Sequence, residues 1–309
     1  MAAGADSQAC GKILITGGTG QVGSELVTTL ASLGEVIAPG RAEMDLSNPE
    51  SVRKIIQAIK PRWIVNPAAY TAVDKAESES DLAYAINAEA VRVIGEEARQ
   101  IGAGVIHFST DYVFDGTGST PYRETDATAP VSVYGASKLA GEQALAKSGA
   151  AHMIFRTSWV YGANGKNFLR TILKLAQERE VLRVVGDQYG APTWSRDLAK
   201  MTAQVMVQSE AATKGRSLAD ALAETGGVYH AAGRGETNWY GFAAEAVRLV
   251  RESSPGAKLA KIEAITTAEY PTPAKRPANS RMNCDKLAHR FGWTMMDWRE
   301  SLRQVLAEL

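Results

Sequence analysis

The stretch Lys12-Ile-Leu-Ile-Thr-Gly-Gly-Thr-Gly-Gln-Val-Gly23 decides the fold, because a short apolar run passes directly into a glycine-rich turn. The apolar run predicts a buried strand over residues 12–16. Gly17, Gly20 and Gly23 stand at the first, fourth and seventh positions of the turn. Such a strand-to-helix turn uses one glycine for its bend, one for the close approach of a pyrophosphate and one for helix–strand packing. Apolar residues then recur at helical spacing and predict a helix after the turn: Val22, Leu26, Leu30 and Leu33.

The alternation of strand and helix continues through the first half of the chain. Further strands are predicted over residues 35–38, 62–65, 105–108 and 152–155. Helices are predicted over residues 77–100, 131–147 and 168–177, and another begins at Pro49 with Asn48 as its cap. Strands that alternate with helices form βαβ units around a parallel sheet. The predicted fold is therefore α/β, a doubly wound parallel sheet of the Rossmann type.

The regular alternation weakens near residue 187, where turn-rich segments begin to separate the helices. We predict a flexible N-terminal extension over residues 1–11 and a dinucleotide-binding domain over residues 12–186. Residues 187–309 are predicted to form mainly a smaller, discontinuous α/β region that binds substrate. Some of its segments are expected to return to the first domain.

Composition narrows the class of protein. The 309 residues include 34 Lys or Arg and 34 Asp or Glu, so the formal net charge is zero. This balance argues against nucleic acid or an anionic membrane as partner. No stretch approaches the roughly 18 apolar residues that span a bilayer, and residues 1–11 lack the apolar run of a signal peptide. Cys10 and Cys284 are too few for a disulfide framework, so we expect a cytoplasmic protein without a metal site.

The glycine-rich turn predicts where a dinucleotide binds. A helix N-terminus offers free N–H groups and a favourable dipole to phosphates, and the residues at this one are Gly17, Gly20, Gln21, Val22 and Gly23.

The residues at the end of the second strand indicate whether the site prefers NAD or NADP. An NAD-preferring site usually has an acid there for the ribose hydroxyls. Here residues 38–41 read Ala-Pro-Gly-Arg, and the first acid is Glu43. Arg41 stands where a 2′-phosphate needs a guanidinium, although it also reads as a solvated loop arginine. The predicted cofactor is NADPH, and NADH use stays open.

A second motif, Tyr134-Gly-Ala-Ser-Lys138, predicts proton-transfer chemistry. Tyr and Lys four residues apart share one face of a helix. A free phenol has a pKa near 10, and a neighbouring ammonium is expected to lower the pKa of Tyr134 towards neutrality. The fourth predicted strand ends in Ser109 and Thr110, either of which could hydrogen-bond a substrate carbonyl. Such residues lie at the carboxyl edge of the sheet, where folds of this class bind ligands.

Longer segments around these residues carry a more specific pattern. They are, in chain order, Asn66-Pro-Ala-Ala-Tyr-Thr-Ala-Val-Asp-Lys-Ala-Glu77, Ser109-Thr-Asp-Tyr-Val-Phe-Asp-Gly116, Pro121-Tyr-Arg-Glu124, Tyr134-Gly-Ala-Ser-Lys-Leu-Ala-Gly-Glu142, Arg156-Thr-Ser-Trp-Val-Tyr-Gly162, Asp187-Gln-Tyr-Gly-Ala-Pro-Thr193 and Arg276-Pro-Ala-Asn-Ser-Arg281. The order of glycine turn, hydroxyl and Tyr-Lys pair resembles an extended short-chain dehydrogenase/reductase. With the longer segments, most of the chain after Gly11 resembles the dTDP-4-dehydrorhamnose reductase family. Its members use NADPH to reduce the 4-keto group of dTDP-4-dehydro-β-L-rhamnose to dTDP-β-L-rhamnose, the last step of the pathway.

The resemblance implies roles for individual residues. The implied catalytic residues are Thr110, Tyr134 and Lys138. The implied cofactor contacts beyond the glycine turn are Asp45 and Leu46 beside the adenine, with Ala68, Ala69 and Tyr70. The implied substrate contacts are Val73, Thr110, Asp111, Tyr134 and Trp159, although Trp159 also reads as a core aromatic.

Two arginines near the end of the chain suit an anionic substrate. Arg276 and Arg281 are predicted to clamp the nucleotide diphosphate, since a guanidinium fork matches phosphate oxygens. Surface salt bridges are the alternative for both. Gln188 and Tyr189 are further candidates for the same pocket.

One position departs from the family pattern. Some members are homodimers that hold Mg²⁺ with glutamates at the interface, and Glu25 fits one such position. Arg196 stands where another acid is expected. We therefore predict no metal, and the prediction of a homodimer is weakened with it.

Two other functions fit parts of the pattern. A nucleotide-sugar 4,6-dehydratase or epimerase has a similar fold, but the dehydratases carry an Asp-Glu pair directly after the threonine. Here Asp111 is followed by Tyr112. A non-catalytic relative, similar to the regulatory subunit of methionine adenosyltransferase, is the alternative from another class. The intact Thr110, Tyr134 and Lys138 argue for the reductase.

Overall fold

The structure is a computed structural model that describes residues 10–309. The flexible extension predicted for residues 1–11 therefore falls mainly outside the described residues. Cys10 is fully buried, and its N–H donates to the carbonyl oxygen of Leu33 at 3.0 Å. The chain is thus held against the sheet from residue 10 onward.

The strands and helices of residues 10–309 follow the predicted alternation. The strands are β1 (Lys12–Ile15), β2 (Glu35–Ile37), β3 (Trp63–Asn66), β4 (Gly104–Thr110), β5 (His152–Thr157), β6 (Val160–Tyr161), β7 (Val181–Val185), β8 (Tyr189–Gly190), β9 (Thr193–Trp194), β10 (Gly227–His230), β11 (Thr237–Asn238) and β12 (Lys261–Ile265). The α-helices are α1 (Gln21–Leu30), α2 (Pro49–Ile59), α3 (Val73–Ala76), α4 (Ser80–Tyr84), α5 (Ala90–Ile101), α6 (Val133–Ser148), α7 (Phe168–Glu178), α8 (Ser195–Thr213), α9 (Leu218–Thr225), α10 (Trp239–Ser253), α11 (Asp285–Phe291) and α12 (Trp298–Leu306). None of these helices is long and apolar enough to cross a membrane.

Six strands form one parallel sheet in the order β10-β5-β4-β3-β1-β2. The chain leaves β1 for β2 on one side and later returns to β3 on the other. A crevice opens where the strand order reverses in this way, at the carboxyl ends of the strands. The predicted doubly wound sheet of the Rossmann type is confirmed.

Both faces of the sheet are covered by helices. Ile13 and Ile15 of β1 pack on one side with α1, α8, α9 and α11, whereas Leu14 packs on the other with α2, α5 and α6. Side chains of a strand alternate between faces, so a strand buried on both sides is apolar throughout. This explains the continuous apolar run that opens the motif.

The start of α2 agrees with the prediction. The side chain of Asn48 accepts hydrogen bonds from Glu50 N and Ser51 N, and Pro49 is the first helical residue. Asn48 therefore satisfies N–H groups that lack an intrahelical acceptor.

The single helix predicted over residues 77–100 is wrong. After α3, which ends before this range, the chain instead forms α4, a π-helical segment (Ala85–Glu89) and α5. Asn87 of the π segment binds the peptide of Tyr70, accepting from Tyr70 N at 2.8 Å and donating to Tyr70 O at 3.1 Å. Helical periodicity does not reveal this contact between the π-helical segment and the loop after β3.

Sequence analysis also missed β10, which pairs with β5 at the edge of the sheet. Gly226 and Gly227 read as a turn, and the strand after them is only four residues long. Pairing with a neighbour that lies far away in the chain decides such a short strand.

A smaller unit is built from later segments. Strands β7 and β12 pair in parallel and pack against α7 and α10 around Ile172, Leu182, Ala243 and Val247. By contrast, α8, α9 and α11 pack against the large sheet, and β10 forms one of its edges. The division at residue 187 stays a prediction, because elements on both sides of it contribute to both units.

A substitution of Gly141 would test how closely α6 packs on the π-helical segment. A Cβ at this position would lie 2.0 Å from the carbonyl oxygen of Asn87. Helix propensity alone predicts that Gly141→Ala stabilises the protein by about 1 kcal/mol, but overpacking costs about 1–3 kcal/mol. We expect the clash to dominate because the obstructing atom belongs to the backbone. Thermal unfolding should show a lower melting temperature.

The matched control is Gln143→Ala, at an exposed position of the same helix. Its effect should stay within about 0.5 kcal/mol, as for most surface changes. A Gly141→Ala protein that melts higher than the wild type would contradict the packing argument.

Candidate active site

The glycine-rich turn has the geometry that its spacing predicts. Gly17 has a φ of 60°, in the left-handed region that favours glycine. A Cβ on Gly23 would lie 2.1 Å from the carbonyl oxygen of Gly17, so only glycine allows this approach of helix and strand. Gly20 caps α1 without a side-chain hydrogen bond, and the N–H of Ser24 is the first to reach back to Gly20 O, at 2.9 Å. The N–H groups before it have no intrahelical acceptor and can bind phosphate.

The turn opens into a cleft of about 370 Å³. The predicted residues that line it are Gly17, Gly20, Gln21, Val22, Gly23, Ala68, Ala69, Tyr134 and Lys138. The other lining residues are Thr19, Pro67, Thr71, Phe108, Ser109, Thr157 and Val160. The structure thus brings the two motifs, more than 110 positions apart in the chain, to one cleft.

The start of α6 places the Tyr-Lys pair at this cleft. Ser132 caps the helix, since its hydroxyl accepts from Gly135 N at 3.2 Å. Tyr134 lies in the first turn, and Lys138 follows it four residues later on the same face. Lys138 is only 1% exposed.

Thr110 ends β4 beneath the same region. Its hydroxyl lies 3.0 Å from Asp111 Oδ1 and accepts from Tyr112 N at 3.2 Å. Interaction with the Thr110 hydroxyl also lowers the pKa of Tyr134, which places this hydroxyl near the phenol. Of the two hydroxyls left open by the sequence, Ser109 Oγ instead donates to Glu142 at 2.5 Å. Thr110 is therefore the hydroxyl associated with Tyr134.

The pKa of Tyr134 differs from the prediction. Burial raises the pKa of Tyr134 to about 12, and the hydrogen bond from Thr110 only partly opposes this rise. The predicted lowering by Lys138 is wrong for this structure. Lys138 Nζ donates to Phe108 O at 2.7 Å and lies 3.2 Å from His107 Nε2. Tyr134 is consequently a protonated phenol at neutral pH, the form that a general acid needs.

Burial has the opposite effect on the pKa of Lys138. It lowers the pKa of Lys138 to about 8, although the carboxylate of Glu142 favours the charged form. Lys138 still carries its charge at neutral pH.

Two buried polar atoms in this region have no hydrogen-bond partner among residues 10–309. They are Asp111 Oδ2 and Thr157 Oγ1. Burial also raises the pKa of Asp111 to about 6. Unpartnered buried polar atoms are costly, and a polar ligand in the cleft would satisfy Thr157 Oγ1, because Thr157 lines the cleft. The site therefore fits a ligand with hydroxyl or phosphate groups.

The residues predicted for the adenine end lie outside the cleft lining. Arg41 is exposed and makes no ion pair within the described part of the chain. Asp45 Oδ1 accepts from the N–H and hydroxyl of Ser47, which lowers the pKa of Asp45. Leu46 packs at the edge of the core. The hydroxyl of Tyr70 donates to Glu79, so its polar end is directed towards α4.

A second and larger cavity, of about 640 Å³, lies beside β7. Arg276 lines it and forms a bidentate pair with Asp74, with distances of 3.0 and 2.8 Å. Gln188 lines it too and donates to Thr267 at 3.1 Å. Arg276 therefore both forms a salt bridge with Asp74 and lines the larger cavity.

The remaining predicted substrate residues lie at several places. Arg281 is not part of either cavity lining; it donates to Ser119 O at 2.8 Å and pairs with Glu236 at 3.1 Å. Its guanidinium also lies 6.0 Å from the ring centre of Tyr189, which is 45% exposed. Val73 is the half-buried first residue of α3.

Trp159 has an unusual backbone. Its φ of 48° is rare for a bulky residue, and its ring stacks on Trp239 with centroids 3.7 Å apart. Trp239, which sequence analysis missed, lines the larger cavity. Strained residues cluster at ligand sites, which favours a binding role for the pair.

Arg196 occupies the position at which a metal-binding acid was expected. Its Nε lies 2.9 Å from Glu25 Oε2, and its Nη1 pairs with Glu308. The guanidinium supplies positive charge to both carboxylates within one chain.

Sequence analysis missed two polar residues beneath the cleft, Asn66 and His107. Both lie in otherwise apolar strands and are almost fully buried. A polar residue within an apolar strand was the available signal, because such a residue needs a specific partner.

Comparisons with known proteins agree with this geometry. Residues 11–309 match the family model described as RmlD substrate binding domain. The chain is 49% identical over 301 residues to dTDP-4-dehydrorhamnose reductase of Burkholderia thailandensis, covering 96% of this chain and 99% of the relative. It is 47% identical to the enzyme of that name from Escherichia coli K12, covering 96% and 97% of the two chains.

Solved structures show the same relationship. A dTDP-4-dehydrorhamnose reductase from Clostridium acetobutylicum superposes with a TM-score of 0.86 at 36% identity, covering 96% of this chain and 98% of that one. Another from Bacillus anthracis, crystallised in complex with NADP, has a TM-score of 0.86 at 33% identity, covering 96% and 99%. With matches across nearly its whole length, the chain belongs to the dTDP-4-dehydrorhamnose reductase family.

Proposed function

We propose that this chain uses NADPH to reduce the 4-keto group of dTDP-4-dehydro-β-L-rhamnose, giving dTDP-β-L-rhamnose in the last step of dTDP-L-rhamnose biosynthesis. The observation that carries the proposal is the shared cleft of the glycine-rich turn and the Tyr134–Lys138 pair. The phosphate-binding N–H groups and a protonated acid thus line one space. Relatives of this name are up to 49% identical to the chain.

The residues at the cleft fit a dinucleotide. The N-terminus of α1 would bind the pyrophosphate, with Ala68 and Ala69 forming the opposite wall. Thr157 Oγ1, buried without a protein partner, would accept or donate one hydrogen bond to the ligand. Arg41, exposed and without an ion pair among residues 10–309, is free to bind a 2′-phosphate. When bound, NADPH supplies the hydride that reduces C4 of the sugar.

The protein's part in the reaction is proton transfer and orientation. Tyr134 donates its phenolic proton to the carbonyl oxygen as negative charge develops there. Thr110 hydrogen-bonds the same oxygen and orients it. The ammonium of Lys138 stabilises the phenolate that remains. Asp111 Oδ2 would accept a hydrogen bond from a sugar hydroxyl.

We propose that the nucleotide of the substrate occupies the larger cavity. Its walls combine apolar side chains of α7 and β7 with the guanidinium groups of Arg179 and Arg276. An apolar wall suits a base, and a guanidinium suits a diphosphate. Asp74 holds Arg276 in one orientation through its bidentate contact.

Position 112 argues against dehydration of a nucleotide sugar. That reaction needs a second carboxylate beside Asp111, but the chain has Tyr112 there. The ring of Tyr112 packs edge-on against Tyr134, with centroids 5.4 Å apart. This position therefore supplies apolar packing in place of a second acid or base.

We infer that any homodimer of this chain forms without a metal ion at Glu25. Arg196 already neutralises Glu25 and Glu308, so no cation is required there. We also propose a cytoplasmic location, in keeping with two free cysteines.

The direct test of the function mixes the purified protein with NADPH and dTDP-4-dehydro-β-L-rhamnose. We expect loss of absorbance at the nicotinamide band and formation of dTDP-β-L-rhamnose. The UDP analogue is a parallel substrate that tests nucleotide preference. Absence of NADPH oxidation with the thymidine substrate would exclude the proposed activity.

Tyr134→Phe removes the proposed acid and keeps the ring. We expect kcat to fall by about 10²–10⁴-fold, the range for loss of general acid catalysis, with little change in NADPH affinity. Steady-state kinetics and fluorescence titration measure the two quantities. Tyr84→Phe, at an exposed tyrosine of α4, is the control and should keep full turnover. Full activity in Tyr134→Phe would refute the assignment of the acid.

Arg41→Ala tests cofactor choice. Losing an exposed charge-assisted contact to a 2′-phosphate should raise KM for NADPH by about tenfold, near the lower end expected for hydrogen bonds to charged groups. KM for NADH should change little, because NADH lacks that phosphate. Arg290→Ala, an exposed arginine that lines neither cavity, is the control. Equal effects on both cofactors would argue that Arg41 is only a solvated residue.

The pH dependence of kcat/KM should be bell-shaped. Asp111, with a pKa of about 6, accepts a sugar hydroxyl more strongly as the carboxylate, so activity rises through that pH. Lys138, with a pKa of about 8, must keep its proton, so activity falls above that pH. Asp111→Asn should remove the acidic limb and leave the basic limb. A basic limb above pH 10 would contradict the role given to Lys138.

A further inference from the structure

A row of four buried polar side chains lies beneath the cleft. Thr16, Asn66, His107 and Lys138 are each at most 2% exposed. Thr16 Oγ1 donates to Asn66 Oδ1 at 2.5 Å, Asn66 Nδ2 lies 3.0 Å from His107 Nδ1, and His107 Nε2 lies 3.2 Å from Lys138 Nζ. Thr16 follows β1, while Asn66 and His107 belong to β3 and β4. The row therefore crosses three neighbouring strands and ends at α6.

The protonation of Lys138 determines where the other protons lie. An ammonium can only donate, so His107 Nε2 must accept. A neutral imidazole then carries its proton on Nδ1, which requires an acceptor. Asn66 supplies this acceptor once its side-chain amide is turned by 180°, so that Oδ1 faces His107 Nδ1 and Nδ2 faces Thr16 Oγ1; the oxygen and nitrogen of an amide are assigned from such hydrogen bonds. Thr16 Oγ1 then accepts from Asn66 Nδ2 and, at 3.4 Å, from Ala68 N.

Burial keeps the imidazole neutral. His107 is fully enclosed, and desolvation, followed by the charge of Lys138, holds the pKa of His107 well below its ordinary value. A charged His107 would face the ammonium with a second donor. The neutral ring can therefore accept from Lys138 through Nε2 as long as the lysine keeps its proton.

We propose that His107 is a positioning residue that fixes the catalytic ammonium of Lys138. His107 Nε2 accepts one of its three N–H bonds, and the carbonyl oxygen of Phe108 accepts a second at 2.7 Å. The third is left for the cleft that Lys138 lines. The inference deepens the proposed function and rests on it for the task of Lys138.

The other titratable groups near Lys138 are bound to partners other than its Nζ. Glu142, one turn further along α6, is bound by Arg156 at 2.7 Å and by Ser109. Tyr134 is a neutral phenol, and the carboxyl of Asp111 bonds Thr110. On β5, His152 is directed to Ala150 O at 2.8 Å. Among these groups, His107 is the side chain in direct hydrogen-bond contact with Nζ.

The test compares two substitutions of similar size. His107→Leu fills the space but offers no acceptor, whereas His107→Gln can place an amide oxygen near the position of Nε2. In His107→Leu the ammonium of Lys138 loses one hydrogen-bond acceptor, which disfavours the charged form. The pKa of Lys138 should therefore fall by about one unit. In His107→Leu, the basic limb of kcat/KM should move from about 8 to about 7, with kcat about tenfold lower. His107→Gln should keep the wild-type limb and lose about threefold or less in kcat.

A second measurement requires neither cofactor nor turnover. A buried lysine with a lowered pKa takes up a proton on unfolding above that pKa, so rising pH favours the folded state there. The melting temperature of His107→Leu relative to His107→Gln should therefore rise between pH 6 and 8. His152→Leu and His152→Gln are the control pair and should leave both the limb and this difference unchanged.

The outcomes are distinguishable. If His107→Leu and His107→Gln share the wild-type basic limb and the same pH dependence of melting, the positioning role is wrong, even if both lose activity. If the wild type fails to oxidise NADPH with the keto sugar, the proposed function fails. The melting comparison would still decide whether His107 holds Lys138.

Discussion

The parallel pairing of β1, β3 and β4 is the constraint on which the site depends. Parallel strands end at the same edge, so the residues after each strand meet there. Ile15 lies opposite Val65, and Asn66 lies opposite His107. A slip of one residue in this register would turn each polar side chain to the other face. The glycine-rich turn, the buried polar row and the threonine of β4 all take their positions from this pairing.

Burial sets the chemistry of the groups at that edge. The same loss of water raises the pKa of Tyr134 and Asp111 and lowers the pKa of Lys138. An acid that stays protonated and a lysine that stays charged at neutral pH suit proton donation to a carbonyl. Glu142 favours the charged form of the lysine, and the carbonyl oxygen of Phe108 accepts from Nζ at 2.7 Å. The backbone thus replaces part of the water that the ammonium loses.

The family relationship and the local geometry make different contributions. Similarity over 96% of the chain identifies the family and supports the sugar nucleotide as substrate. The geometry adds features of this chain, such as the Glu25–Arg196–Glu308 cluster and the stacked Trp159–Trp239 pair. The first joins two carboxylates through one guanidinium, and the second carries a strained backbone beside a large cavity.

The sequence by itself determined the α/β class, the first five strands of the sheet and the two motifs, because glycine spacing, apolar periodicity and helix capping are local properties. It did not reveal the break of the helix over residues 77–100 or the edge strand β10, since both depend on distant partners. Nor could it give the direction of the Tyr134 pKa, because burial outweighed the lysine four residues away. His107 meets Lys138 only when β4 packs beneath α6. Spacing along the chain predicts chemistry at neighbouring positions, whereas desolvation and contacts between strands exist only in the folded molecule.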